Sequence, residues 1–119
     1  MLVRRLWLET ERATSRLTYP ESRSALAVAR RAGRIRRGYV SALAQLEAAW
    51  QEMDVIELEE RVARRAGALA EKHGLRGADG VQLASALSVE RGRPTLVTWD
   101  RLLGAAGVAE GLDVLPAVA

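Results

Sequence analysis

Three acidic residues stand at points of the chain where helices are predicted to begin. Glu21 follows the first predicted strand, Asp79 lies in the first turn of a later helix, and Asp100 ends another strand. In open parallel sheets, ligands bind beyond the carboxyl ends of the strands, where helix N-termini also converge. We therefore expect these three carboxylates to meet at one edge of a sheet.

Carboxylates are the plentiful metal ligands of this chain. It contains no cysteine and a single histidine, His73, which excludes thiolate zinc sites and any site that needs two imidazoles. Clustered carboxylates suit a hard cation such as Mg²⁺ or Mn²⁺, which activates water and stabilises charge that builds on a phosphate. This pattern points to phosphodiester hydrolysis. Each acid also has a plainer explanation, because an acidic side chain in a first helical turn complements the helix dipole.

The elements that must position these acids alternate between strand and helix. Residues 13–19 predict a strand that ends at Pro20, and a helix follows to about residue 32. Apolar residues at three- and four-residue steps predict a helix over 39–53. The later segments predict, in order, a strand over 54–58, a helix that ends at His73 and Gly74, a helix over 78–89, a strand over 95–99, a helix from about residue 101 and a strand over 112–115. Residues 3–11 fit either the end of a helix or an edge strand.

This alternation predicts an α/β fold with a mainly parallel sheet covered by helices on both faces. The length of 119 residues and the hydrophobic content of 49% suit a single domain that spans residues 1–119. No apolar run is long enough to cross a bilayer, and Glu9 and Glu11 interrupt the only stretch that could begin a signal peptide. We expect a soluble, cytoplasmic protein.

Two further groups of side chains have alternative explanations. Five arginines fall within one short segment: Arg30, Arg31, Arg34, Arg36 and Arg37. Arginine favours bidentate pairing with phosphate or carboxylate, so this segment fits contact with RNA or with an acidic partner, although an arginine-rich surface is often only solvated charge. Trp7, Trp50 and Trp99 lie in apolar-patterned segments, and we expect them to pack in the core or an interface rather than to stack on bases.

Four segments of the chain resemble the successive motifs of one known family. They are SRLTYPE at 15–21, LRGADGVQLASAL at 75–87, LVTWDRLL at 96–103 and GLDVLP at 111–116. In their order and spacing they resemble the PIN domain of the VapC-like toxin ribonucleases, and the resemblance extends from about residue 3 to 116. The segment at 75–87 is the most specific of the four.

The resemblance implies a three-layer α/β/α fold and a metal-dependent ribonuclease. Glu21, Asp79 and Asp100 match the residues that bind one or two divalent cations, Mg²⁺ or Mn²⁺, and carry RNA cleavage in that family. Thr98, at the end of the strand before Asp100, is placed to hydrogen-bond a carboxylate or a metal-bound water. The family also implies a toxin–antitoxin pair, in which the toxin forms a homodimer and an antitoxin protein holds it inactive.

The chain departs from the family pattern in two places. Gln82 stands where the family usually has a histidine, a position with no metal-ligand role in the resemblance. PIN domains also open with a central strand that ends in an aspartate, whereas no aspartate precedes Ser15 here. We therefore expect the usual first central strand to be missing. A rearranged N-terminal segment, a strand from a second copy, or a natural start further upstream would fill its place. This departure leaves an alternative function, a catalytically inactive PIN-like module that dimerises or binds an antitoxin or RNA.

Overall fold

The computed structural model describes residues 12–90 and 94–116, which form a mixed α/β architecture. The strands are β1 (Ala13–Ser15), β2 (Asp54–Ile56), β3 (Thr95–Val97) and β4 (Asp113–Leu115). The helices are α1 (Thr18–Arg31), α2 (Tyr39–Gln51), α3 (Glu60–His73), α4 (Gly77–Leu87) and α5 (Arg101–Ala109). The predicted order of strands and helices is confirmed from β1 to β4. The segment 3–11, predicted as a helix end or an edge strand, lies outside the described residues.

The described strands form two separate parallel pairs and not one continuous sheet. β1 pairs with β2, and β3 pairs with β4, each in parallel over three residues. Within 12–90 and 94–116, β1 and β3 are not hydrogen-bonded to each other. The expectation of one mainly parallel sheet is therefore corrected to two short parallel sheets. The three-layer arrangement and the missing first central strand stay predictions, because residues 1–11 lie outside the described ranges.

The predicted strands are longer than the observed ones because neighbouring polar groups turn the chain early. The predicted strand over 13–19 stops at Ser15, whose hydroxyl oxygen accepts a hydrogen bond from the Leu17 backbone N–H at 3.1 Å. This serine turn lets α1 begin at Thr18 rather than after Pro20. Asp100 acts in the same way after β3, since its carboxylate accepts from the Leu103 N–H at 2.9 Å and starts α5.

The bounds and the buried face of helix α3 follow directly from its sequence. Val62, Ala66 and Leu69 recur at helical spacing and are all buried. Gly74 ends the helix in the left-handed conformation, with φ of 67°, which glycine adopts without a steric penalty. The chain then reverses within three residues, so that α4 packs back along α3.

The hydrophobic core lies among α3, α4 and α5. Its buried members are Val62, Ala66, Leu69, Leu75, Val81, Leu83, Ala84, Leu103, Ala106 and Leu112. α4 is the central element, since it packs against α3, β1 and α5. No helix in the described ranges is long and apolar enough to cross a lipid bilayer.

Candidate active site

Three different elements carry the three predicted acids. Glu21 lies in the first turn of α1, and Asp79 lies in the first turn of α4. Asp100 is the residue that caps the N-terminus of α5. Each carboxylate therefore complements the positive end of a helix, as the plainer explanation requires. Dipole complementarity alone does not require the three to share one location.

The structure brings these acids to the rim of a single cleft of about 480 Å³. The cleft is lined by Glu21, Gly74, Arg76, Ala78, Asp79, Asp100 and Leu102. Glu21 and Asp100 are exposed and Asp79 is half-buried, so all three are accessible from solvent. In the described part of the chain, no three acidic or histidine side chains lie close enough together to hold one metal ion. The carboxylates therefore share a cleft without converging on a point.

The chemistry of the lining residues can be compared with the needs of a divalent cation. Its acidic lining residues offer only oxygen donors, which are the ligands that Mg²⁺ and Mn²⁺ prefer. One oxygen of Asp100 is already occupied by the Leu103 N–H, which leaves its second oxygen for other contacts. The donor types fit such an ion, and the three carboxylates would have to come closer together to share it.

Gln82 contacts Glu21 directly. Its side-chain nitrogen donates to Glu21 Oε1 at 3.3 Å and to the Thr18 hydroxyl oxygen at 2.9 Å. The Thr14 hydroxyl donates to Thr18 at 2.7 Å and continues the chain of hydrogen bonds to β1. Sequence reasoning gave Gln82 no part in the site. Its position three residues after Asp79, which places both side chains on one face of α4, could have indicated that Gln82 lies near the site.

Arg76 is a second residue of the cleft that the sequence analysis did not single out. It lies immediately before α4, on the wall of the cleft that also holds Asp79. Its guanidinium forms no ion pair or hydrogen bond with the side chains described here. Among the described residues, the cleft therefore offers Arg76 as a cation without a side-chain partner beside three acidic side chains.

The other predicted contact residues lie away from the cleft lining. Thr98 accepts a hydrogen bond from the Asp100 backbone N–H at 3.1 Å, and its contact with a carboxylate or water stays a prediction. The five arginines occupy the end of α1 and the loop before α2, and all are exposed. Arg30 lies over the Tyr39 ring at 4.5 Å. Their roles toward RNA or a partner also stay predictions.

The tryptophans behave differently from one another. Trp50 is half-buried, and its ring lies 5.3 Å from that of Tyr19. Trp99 is 73% exposed, so it does not pack in the core, and the alternative that it packs in an interface stays a prediction. The short β3 strand explains the difference, because the chain leaves the sheet at Val97, two residues before this side chain. Trp7 lies outside the described residues.

Comparison with known proteins places the chain in a family. No protein-family model matches it. Two curated proteins from Mycobacterium tuberculosis, Ribonuclease VapC45 of strain CDC 1551 / Oshkosh and Ribonuclease VapC49 of strain ATCC 25618 / H37Rv, are each 46% identical to it over 110 residues. Each match covers 87% of this chain and 73% of the relative. The chain therefore belongs to the VapC-like family of PIN-domain toxin ribonucleases.

Proposed function

We propose that this protein is a metal-dependent ribonuclease, the toxin of a toxin–antitoxin pair, which hydrolyses RNA phosphodiester bonds. This proposal rests on one observation: Glu21, Asp79 and Asp100 line the same cleft. The chain that carries them is 46% identical to proteins named ribonucleases. The three acids belong to three elements that are distant in sequence. Dipole complementarity explains each acid alone, and a shared function explains their common location.

The proposed metal ligands are Glu21, Asp79 and Asp100, and the ion is Mg²⁺ or Mn²⁺. Such an ion, when bound, activates water and neutralises charge on the phosphate. Asp100 is held for this role by the hydrogen bond that its carboxylate accepts from the Leu103 N–H at the start of α5. Thr98 supports it from the same turn, because its hydroxyl anchors the Asp100 backbone N–H.

Arginines supply the attraction for RNA in this proposal. Arg76 stands on the wall of the acidic cleft, where its guanidinium can pair with a phosphate of the substrate. Helices α1 and α2 pack against each other as a hairpin around the loop 32–38. The end of this α1–α2 hairpin carries an exposed cationic surface formed by Arg30, Arg31, Arg34, Arg36 and Arg37. This surface suits either long-range steering of RNA or an acidic segment of the antitoxin.

The remaining features of the proposal concern assembly and location. We propose that residues 1–119 act as one domain, in the cytoplasm, as a homodimer that an antitoxin protein inhibits. The two helices of the α1–α2 hairpin have no buried residue, although they carry Leu43, Leu46 and Val28. A second protein chain packed there would cover these apolar side chains.

One observation favours a second candidate function, a PIN-like module that binds without cleaving. Within the described ranges, no three acids lie close enough to share an ion. A carboxylate site of this kind loses affinity and water orientation when its ligands do not converge. In that case the chain would only dimerise or bind an antitoxin or RNA.

The test is cleavage of a 5′-labelled structured RNA by the purified protein with Mn²⁺, with Mg²⁺ or with EDTA. We expect cleavage with either metal and none with EDTA. Asp79→Asn should slow cleavage by about 100-fold or more, because loss of one charge-stabilising group in an active site typically costs about 100- to 1,000-fold. Glu71→Gln is the matched control, since Glu71 is an exposed acid of α3 that does not line the cleft.

Three results would change the conclusion. Cleavage that persists in EDTA would exclude the metal-dependent mechanism. Equal cleavage by wild type and Asp79→Asn would place the active site elsewhere. A folded protein that neither cleaves RNA nor binds Mn²⁺ would favour the binding module.

A further inference from the structure

We propose that Gln82 is a positioning residue, which holds the Glu21 carboxylate at the cleft through a hydrogen-bond chain anchored on β1. The proposal rests on the function proposed above and extends it to a residue with no ligand role. Its basis is one contact between distant parts of the chain, from Gln82 on α4 to Glu21 on α1.

The orientation of the Gln82 amide follows from the chemistry of its partners. An ionised carboxylate only accepts hydrogen bonds, so the NH₂ group, and not the carbonyl oxygen, must face Glu21. The same NH₂ group donates its second hydrogen to the Thr18 hydroxyl oxygen at 2.9 Å. Both hydrogens of the amide are thereby assigned, and the amide has one arrangement that satisfies both contacts.

The Thr18 hydroxyl is fixed in turn by β1. It accepts a hydrogen bond of 2.7 Å from the Thr14 hydroxyl, and Thr14 pairs with Val55 in the β1–β2 sheet. The chain of contacts therefore runs from a strand, through the first turn of α1, to α4. The side chains of Thr14, Thr18 and Gln82 are all half-buried, which limits their exchange with water.

Glu21 needs such support more than Asp79 or Asp100. It lies on α1, which has no buried residue and so lacks the packing that fixes α3, α4 and α5. Asp100 has its own backbone partner, whereas the hydrogen bond described for Glu21 comes from Gln82. A partner outside the immediate ligands that orients a ligand typically contributes about 10- to 100-fold to metal affinity or activity.

The experiment measures Mn²⁺ binding by electron paramagnetic resonance, together with steady-state RNA cleavage at pH 8. We expect Gln82→Ala to weaken Mn²⁺ binding about 10-fold and to lower kcat about 10-fold, with KM for RNA changed by less than about twofold. Thr18→Val, which removes the acceptor that orients the amide, should act in the same direction with a smaller effect. The control Gln45→Ala removes an exposed glutamine of α2 and should change neither quantity.

A conservative variant separates positioning from general stability. Gln82→His provides a neutral ring N–H that can donate to Glu21, so it should recover most of the Mn²⁺ affinity lost in Gln82→Ala. Thermal unfolding of each variant shows whether a loss reflects misfolding. If Gln82→Ala does not fold, Thr18→Val and Gln82→His still test the proposal.

The outcomes distinguish this inference from the proposed function. If wild type binds Mn²⁺ and cleaves RNA while Gln82→Ala matches it in both, Gln82 has no positioning role. Equal defects in Gln82→Ala and Gln82→His would also overturn the proposal, because the donor would then not matter. If wild type neither binds Mn²⁺ nor cleaves RNA, the proposed function fails, and the role of Gln82 toward a metal ligand fails with it.

Discussion

The half of the molecule formed by α3, α4 and α5 differs sharply from the α1–α2 hairpin. Each of the three helices contributes buried residues to the core, whereas neither helix of the hairpin has a buried residue. Both regions are largely helical, with 34 helical residues in the first and 27 in the second, so the contrast is mainly one of packing. The first region has a buried apolar core, whereas the second carries half-buried apolar side chains and surface contacts such as the one between Tyr19 and Trp50.

The candidate active site draws on both regions. Asp79 and Asp100 come from helices of the packed half, while Glu21 comes from the hairpin. The contact between Gln82 and Glu21 crosses from one region to the other. Asp79 and Asp100 therefore lie on helices that the core holds in place, whereas the position of Glu21 depends on hydrogen bonds.

Leu83→Ala should have the largest effect on stability. Leu83 is fully buried in α4, so its truncation leaves a cavity and should lower the free energy of unfolding by about 2–5 kcal/mol. Val40→Ala, at a position of α2 that is 78% exposed, should change it by less than about 0.5 kcal/mol. Urea unfolding of both variants measures the difference. Equal losses would show that the hairpin is packed as firmly as the core.

Two glycine substitutions sharpen the comparison within the packed half. A Cβ at Gly80 would lie 2.5 Å from the Ala66 carbonyl oxygen, whereas a Cβ at Gly67 would meet nothing within 4 Å. Gly80→Ala should therefore force α3 and α4 apart and cost about 1–3 kcal/mol. Gly67→Ala should instead stabilise by about 0.5–1 kcal/mol, because alanine favours a helix interior. The sign of each change, measured by urea unfolding, checks the close approach of the helices.

Two buried serines predict effects of opposite sign. The Ser85 hydroxyl is buried with no hydrogen-bond partner among the described residues, whereas the Ser15 hydroxyl accepts from the Leu17 N–H. Removing an unsatisfied hydroxyl relieves a desolvation penalty, so Ser85→Ala should stabilise by about 1 kcal/mol. Ser15→Ala should destabilise by a similar amount. Thermal unfolding of the pair decides this, and a loss in Ser85→Ala would mean that its hydroxyl has a partner after all.

The smallest predicted effect concerns acid stability. Hydrogen bonds from Lys72 and then from His73 hold the pKa of Glu110 below its ordinary value of 4.5. A lowered pKa in the folded state adds stability that is fully present above pH 4.5 and is lost as the pH falls through the folded-state value. Glu110→Gln should therefore be less stable than wild type at pH 7, and the difference should disappear in acid.

Unfolding by urea at pH 7, 5 and 3.5 measures this difference. We expect about 1 kcal/mol or less at pH 7, the range of ion pairs near a protein surface. Glu60→Gln is the control, because the Glu60–Arg64 pair is highly exposed on both sides. A cost for Glu110→Gln that does not shrink as the pH falls from 7 to 3.5 would mean that packing, and not charge, is its cause.

Local signals in the sequence predicted the fold wherever a cap or turn residue marks a boundary. The end of α3 was correctly predicted at Gly74. The start of α5 was correctly predicted at about residue 101, directly after Asp100. The strands were predicted too long, because β-prone residues such as Thr18 also fit the first turn of a helix. Propensity alone cannot choose between these states when a serine hydroxyl turns the chain first.

The predicted topology accounted for the common location of the three acids but not for the contacts between side chains. Parallel strands and helix N-termini implied that Glu21, Asp79 and Asp100 would meet, and they line one cleft. The contact between Gln82 and Glu21 joins residues 61 positions apart, and no local spacing reveals it. The choice between core and interface for Trp99 was left open for a related reason, since its exposure depends on where β3 ends.

The close approach of Gly80 to Ala66 also has a consequence for the order of folding. These residues are only fourteen positions apart, so the α3–α4 pair closes through a short loop at little entropic cost. Glu21 must instead be brought to Gln82 across 61 positions of the chain. We expect pulsed hydrogen exchange during refolding to protect the amides of α4 before those of α1. The nascent molecule would then carry Asp79 on a formed helix while its acidic cleft is still incomplete.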